Sequence, residues 1–92
     1  MANYFVTYDL NGGVPTHKAM DEHMGKAGWD RGRVLETVWY VGTSQTTSEV
    51  FDHVNSILSK NDQILVIEAT DASFRNLLIS EKSLQEAWAA NE

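Results

Sequence analysis

The first strand, and the break that follows it, constrain the fold of this chain more than any other feature. The segment Tyr4–Leu10 is rich in aromatic and β-branched residues and Asn11–Gly13 bounds it, which predicts a buried strand that stops abruptly. Because side chains alternate between the faces of a strand, Phe5, Thr7 and Asp9 share one face. A buried, unpaired carboxylate is costly. Asp9 therefore lies at a sheet end, pairs with another group, binds a metal or caps the next turn.

The composition is that of a folded, acidic protein with one domain, residues 1–92. Apolar residues make up 42% of the chain, which is enough to build a core. The absence of cysteine excludes disulfides and thiol catalysis and fits a reducing compartment. The net charge of −6 argues against broad attraction to nucleic acid but does not exclude a local basic site. We see no signal peptide and no apolar stretch of membrane-spanning length, and expect a cytoplasmic protein.

The first half of the chain predicts one helix and one long strand. Thr16 is the best N-cap candidate for a helix over His17–Ala27, and Gly28 ends that helix. Residues 29–32 form a loop in this interpretation. Arg33–Val41 follows as a strand region in which only one long strand is evident.

The second half predicts the clearest helix and a further strand. The helix begins after Thr46 or Thr47, presents one continuous apolar face and ends at Asn61-Asp62. Gln63–Ala69 is mostly apolar, which is typical of a central strand that is buried on both faces.

This order of elements predicts an α+β protein with a ferredoxin-like βαββαβ sandwich, whose helices pack on one face of an antiparallel sheet. In this prediction residues 33–44 supply the two middle strands. The core covers about residues 3–70, and a C-terminal helical extension covers about 71–92. Within the extension, residues 71–79 fit either a short helix or a final edge strand, and residues 81–90 fit a terminal helix.

Three stretches carry a family resemblance: Tyr8–Leu10 at the end of the first strand, Arg33–Val41, and Ile64–Ile67. In this order they resemble the small subunit of the CRISPR spacer-acquisition complex and the related virulence-associated protein D family of small ribonucleases. The likeness covers roughly residues 3–70. It implies a ferredoxin-like fold, a homodimer, and Asp9 as a metal-coordinating residue that meets its symmetry mate. The acidic charge, the Asn-Gly-Gly sequence and the chain's last part depart from these families.

Asp9 is the candidate catalytic and metal-binding residue. With Mg²⁺ or Mn²⁺ it would suit phosphodiester hydrolysis, because a hard cation held by carboxylates and waters polarises a phosphate. One aspartate per chain is a thin site, so it needs the dimer or a second carboxylate such as Glu36 or Glu68. Each of these glutamates also fits a solvated strand face. The candidate general bases are the histidines, each of which also fits a surface or boundary position: His17, His23 and His53.

Lys26, Arg31 and Arg33 form the only candidate basic patch, and they are the candidate contacts to phosphate or nucleic acid. Three cations in an acidic protein also fit a solvated loop.

Three aromatic residues are candidates for a dimer or partner interface: Trp29, Trp39 and Tyr8. Trp29 lies between Gly28 and Asp30, so we expect an exposed loop residue that suits a protein interface or base stacking. Trp39 alternates with apolar strand residues and also fits the core.

Two functions remain open from the sequence. One is a small dimeric protein of defence or toxin–antitoxin type that binds a partner protein or a small nucleotide without catalysis. The other is a metal-dependent endonuclease, acting on RNA, with Asp9 at its dimer interface. The acidic surface and the few acid–base groups favour the first function, whereas the family resemblance favours the second.

Overall fold

The structure, a computed structural model, describes residues 1–92 as a four-stranded antiparallel sheet with three helices. The elements in chain order are β1 (Ala2–Asp9), α1 (His17–Lys26), β2 (Asp30–Leu35), β3 (Val38–Thr43), α2 (Thr47–Asn55), β4 (Gln63–Ala69) and α3 (Glu81–Ala90). The strands lie side by side in the order β2-β3-β1-β4. The predicted α+β class is therefore confirmed. No helix is long and apolar enough to cross a membrane.

β1 organises the sheet, since it pairs with β3 on one side and β4 on the other. Its predicted alternation is confirmed: Tyr4, Val6 and Tyr8 are buried in the core beneath α1 and α2, whereas Phe5 packs with α3 on the opposite face. The helices thus divide between the two faces of the sheet. The buried residues of the main core are Tyr4, Val6, Tyr8, Met20, Met24, Trp29, Trp39, Val41, Val50 and Val54.

The region Arg33–Val41, in which only one long strand was evident, belongs to a hairpin. The two strands expected from residues 33–44 are present, but the first begins earlier, so the expected loop over residues 29–32 is wrong. β2 starts at Asp30, and the chain reverses at Glu36-Thr37 before β3. An irregularity in the pairing between Arg33 and Leu35 adds a bulge to β2. Because the turn contains no Gly, Pro or Asn, the sequence pattern ran through it without a break.

Side-chain caps fix where the helices begin. The Thr16 hydroxyl accepts from the Ala19 N–H at 3.1 Å at the start of α1, as predicted. Thr46 rather than Thr47 caps α2, and its reciprocal bonds with Glu49 form a capping box. Gly28 follows α1 with a φ of +73°, a left-handed conformation that favours glycine.

The α2 helix ends at Asn55, so the expected end at Asn61-Asp62 is wrong. Ser56 is its C-cap, and its N–H bonds to the carbonyls of Asp52 and His53. Ile57 and Leu58 continue to pack against the main core from the turn that follows the helix. Because both residues are apolar and follow the helix at helical spacing, the sequence pattern predicted a longer helix.

The β4 strand has the predicted bounds, but it lies at an edge of the sheet, so the expected central position is wrong. Leu65 is 54% exposed and Ile67 is 47% exposed. The apolar content of β4 suggested that both of its faces are buried. In the structure, the rest of the chain leaves part of this strand exposed.

The α3 helix occupies residues 81–90, as predicted, and packs on the sheet face opposite α1 and α2. Its Leu84 is buried against Val34 and Tyr40, and burying a leucine contributes about 1.5–3 kcal/mol. Residues 71–79 form neither the short helix nor the edge strand considered for them and are irregular. Their last part lies beside β2, where the Leu78 N–H donates to the Val34 carbonyl at 2.9 Å.

Candidate functional site

Asp9, the predicted catalytic and metal-binding residue, is the last residue of β1 and is exposed. It stands opposite Gln63 of β4 in the sheet register. These two residues line a shallow cavity of about 230 Å³ together with Thr7, Tyr8, Ile64 and Leu65. Strand alternation and the Asn-Gly-Gly break therefore place the carboxylate at a sheet end with one amide side chain as its polar neighbour.

Neither of the two glutamates considered as a second ligand lies beside Asp9. Glu36 lies in the turn between β2 and β3, and Glu68 stands opposite Tyr4 near the far end of β4. No group of three or more His, Cys, Asp or Glu side chains in the structure could hold a metal ion. Mg²⁺ needs near-octahedral oxygen ligands, so a lone carboxylate does not make a resident metal site. The Mg²⁺ or Mn²⁺ prediction depends on a second chain.

The predicted basic patch is divided. Arg33 forms an ion pair with Asp21 of α1, and its guanidinium carbon lies 5.2 Å from the centre of the Trp39 ring. Its role here is to hold α1 against β2. Arg31 is exposed and lies beside Gly25 in the last turn of α1. Lys26 is exposed in the same turn. Of the three cations in the predicted patch, Lys26 and Arg31 are therefore the two that could contact a ligand.

The three aromatic interface candidates are buried, so the expected exposure of Trp29 is wrong. Trp29 is 5% exposed, and its Nε1–H donates to the Gln45 side-chain oxygen at 2.9 Å. Trp39 donates through Nε1–H to the Tyr8 hydroxyl at 3.0 Å within the core. Burial raises the pKa of Tyr8. With at most 7% of each residue exposed, the three side chains have little surface to offer a partner.

Two of the candidate general bases form a structural pair between α1 and α2. The rings of His23 and His53 stack with their centres 4.0 Å apart. Nε2 of His23 lies 2.5 Å from the carbonyl of His53, and Nε2 of His53 lies 2.8 Å from the carbonyl of His23. Because carbonyls only accept, both Nε2 atoms carry hydrogen. The spacing of His23 between Met20 and Met24 was the sequence signal for its burial.

A second polar cleft was not anticipated from the sequence. His17, Arg33, Glu36 and Thr37 line a cavity of about 230 Å³ beside the turn between β2 and β3. It brings an imidazole and a carboxylate to one place. Since the turn itself was missed, nothing in the sequence pattern placed Glu36 near the start of α1.

Exposed apolar side chains lie at the β4 edge, defined here as Gln63–Ala69. On the α3 face it exposes Leu65 and Ile67. On the other face a groove of about 320 Å³ lies between β4 and α2, where Phe51 is 37% exposed. This strand has hydrogen-bonding partners only on the side of β1.

Comparisons with known proteins leave the family open. No family model, curated protein or solved structure matches the chain. The resemblance to the CRISPR small subunit and to virulence-associated protein D stays a prediction, and the function is argued from the chain's own surfaces.

Proposed function

We propose that this chain is a ferredoxin-like, homodimeric interaction protein that binds a partner protein or a small nucleotide without catalysing a reaction. The observation that carries the proposal is the β4 edge: an unpaired edge strand with two large apolar side chains in solvent. Such an edge is a template for pairing with another chain.

The ferredoxin-like assignment is supported by two properties of the sheet. The first six elements follow the order βαββαβ, and the strand order β2-β3-β1-β4 leaves β1 and β3 in the middle. The residues that α1 and α2 bury lie on one face of that sheet. On this proposal α3 is an addition to the fold that covers part of the other face.

The charge distribution supports a partner other than long nucleic acid. The net charge is −6, and Arg33 is held by Asp21. Only Lys26 and Arg31 of the predicted patch are exposed, whereas binding to polynucleotides depends on neutralising several phosphates. A protein surface or one small nucleotide fits this surface better. The resemblance to CRISPR and virulence-associated families supports a place in a defence or toxin–antitoxin system.

A second candidate function is the metal-dependent endonuclease with Asp9 as its ligand. The observation in its favour is that Asp9 is exposed at the mouth of a cavity beside Gln63. Here a second chain would have to bring another carboxylate, and Mg²⁺ or Mn²⁺ would polarise the phosphate.

A cleavage assay separates the two functions. Labelled single- and double-stranded RNA and DNA are incubated with the protein in Mg²⁺, in Mn²⁺ and in chelator, beside Asp9→Asn and the matched exposed control Asp52→Asn. We expect no metal-dependent cleavage by any of the three proteins. Cleavage by the wild type and by Asp52→Asn that is lost in Asp9→Asn would overturn the non-catalytic proposal.

A further inference from the structure

We propose that two copies of this chain pair β4 with β4 in antiparallel orientation, about a two-fold axis through Val66, and form one continuous eight-stranded sheet. The inference rests on the proposed homodimer and assigns its interface and register. It follows from the difference between the two edges of the sheet, from the exposed apolar side chains, and from the symmetry that a strand must obey when it pairs with itself.

The two edges of the sheet differ in how they are protected. At β2, the Leu78 N–H donates to the Val34 carbonyl and the Ile79 side chain lies beside Gly32. The strand itself is bulged and carries two arginines. Bulges, charges and covering segments are the devices that block an edge. β4 has seven residues without Pro, Gly or Lys, and Glu68 is its only charged side chain. Its outward N–H and C=O groups have no partner in the chain.

The apolar side chains at β4 lie on both faces of this edge. Leu65 and Ile67 are exposed on the α3 face, since α3 and residues 71–79 pack over β1, β3 and β2 rather than over β4. Val66 lines the groove on the other face with Phe51 of α2. A second strand added at this edge would therefore cover apolar surface above and below the sheet, as well as satisfying the backbone.

Symmetry limits the register to a few choices. Paired residues in an antiparallel sheet point to the same face, so a two-fold axis within a self-paired strand must pass through a residue. An axis at Leu65 would set Glu68 opposite Asp62 of the second copy, twice, and like charges directly opposite are destabilising. An axis at Ile67 would pair Leu65 with the small Ala69.

The axis at Val66 gives the best pairs. It sets Leu65 opposite Ile67 of the second copy, twice, so that the two exposed apolar residues of the strand cover each other. It sets Glu68 opposite Ile64, away from other carboxylates. A self-complementary strand of this kind fits a second copy of the same chain better than it fits an unrelated peptide.

This dimer has a consequence for Asp9. Asp9 is opposite Gln63, three positions from Val66, so the two Asp9 carboxylates would lie about 25 Å apart, given strand spacings of about 4.8 Å and rises of about 3.4 Å per residue. The two carboxylates would not share a metal ion.

Single-cysteine variants test the register cleanly, because residues 1–92 contain no cysteine. Disulfides form when Cα atoms are about 4.4–6.8 Å apart, and directly opposite residues meet that limit whereas diagonal ones, about 7–8 Å apart, do not. Under mild oxidation we expect Val66→Cys alone to give a cross-linked dimer. Leu65→Cys and Ile67→Cys should each cross-link poorly alone but efficiently when mixed. Leu78→Cys, at an exposed position beside the protected edge, is the matched control.

The molar mass of the unmodified protein, from light scattering on a sizing column, separates the failures. A dimer with the expected cross-links supports the inference. A dimer in which Val66→Cys does not cross-link overturns the β4 register and leaves the proposed homodimer standing. A monomer at every concentration up to the millimolar range overturns both.

Discussion

At the scale of single residues, Asp62 ties the loop after α2 to the loop after β1. Its carboxylate accepts from the Asn11 N–H at 2.7 Å and from the N–H and hydroxyl of Ser59 at 2.8 Å each. The bond from Asn11, followed by that from the Ser59 backbone, holds the pKa of Asp62 below its ordinary value of 3.8. The loop geometry therefore depends on an ionised carboxylate.

This sets a pH dependence with a definite sign. Because the folded pKa is depressed, the stabilisation is present above the unfolded value near pH 4 and is lost as the pH falls through the folded pKa. We expect Asp62→Asn to be less stable than the wild type at pH 7, and the difference to shrink at pH 3. Urea unfolding at both pH values measures this. Asp52→Asn, which removes an exposed carboxylate on α2, is the control. A difference between Asp62→Asn and the wild type that is the same at both pH values would contradict the prediction.

Tyr40 gives the stability a pH dependence of the opposite sign, at alkaline pH. Its hydroxyl donates to Asn3 Oδ1 at 2.6 Å in a buried position, and burial, together with the charge of Asp30, raises its pKa to about 12 from 10.0. A raised pKa means that the stabilisation is present below pH 10 and is lost as the pH rises through about 12. We expect Tyr40→Phe to be less stable at pH 8, where Asn3 loses its donor, by about 1–3 kcal/mol.

The gap between the wild type and Tyr40→Phe should narrow as the pH rises above 10. Unfolding in urea at pH 8 and pH 11 measures the gap, and absorbance at 295 nm follows phenolate formation directly. The variant should lack the phenol of Tyr40, one of the two tyrosines whose pKa burial raises. If Tyr40→Phe kept the whole wild-type increase in absorbance at 295 nm above pH 11, the pKa of Tyr40 would not be the one that is raised.

At the scale of secondary-structure elements, the capping box assigns the start of α2 to Thr46. An N-cap threonine replaced by alanine costs about 0.5–2 kcal/mol, because an N–H at the helix start loses its acceptor. We therefore expect Thr46→Ala to lower the free energy of unfolding by about 1 kcal/mol. Thr47→Ala is the control, since Thr47 is already within the helix. Equal losses in both variants would contradict the assignment of the cap.

The sequence predicts those elements whose signals are local. The bounds of β4 and of the helix over residues 81–90 follow from alternation and helical spacing, and both are present. The two strands expected from residues 33–44 are present as β2 and β3, but the position of their turn was missed, because Glu36-Thr37 has no residue that marks a turn. Apolar content also could not distinguish an edge strand from a central one. It indicates that β4 is suited to burial, but it does not indicate whether the same chain or a second copy covers the strand.

The candidate sites were less predictable than the elements. Asp9 is exposed at a strand end, which was one of the positions predicted for it. Trp29, in contrast, was expected to be exposed because of its neighbours Gly28 and Asp30. It is buried in the main core with its ring centre 5.1 Å from that of His53, and Gln45 accepts its N–H. Likewise, Arg33 is committed by Asp21 through packing of α1 on β2. Partners of this kind are set by tertiary structure, which a single sequence does not specify.

At the scale of the whole molecule, the open β4 edge predicts a stability that depends on protein concentration. If folding and dimerisation are coupled, a tenfold rise in concentration should raise the Tm by about 4 °C for a dimer of this size. Ile67→Lys places a charge at the proposed interface, where it would lie opposite Leu65 of the second copy. We expect this variant to be monomeric, with a Tm that is independent of concentration.

The matched control is Leu78→Lys, which makes the same apolar-to-cationic change at a side chain that is 63% exposed beside the protected β2 edge. Its Tm should rise with concentration as steeply as that of the wild type, since it leaves β4 untouched. Calorimetry at three concentrations over a hundredfold range gives both slopes. Equal slopes for Ile67→Lys and Leu78→Lys would mean that β4 is not the interface, because only one of the two lysines stands where a second β4 strand would pair.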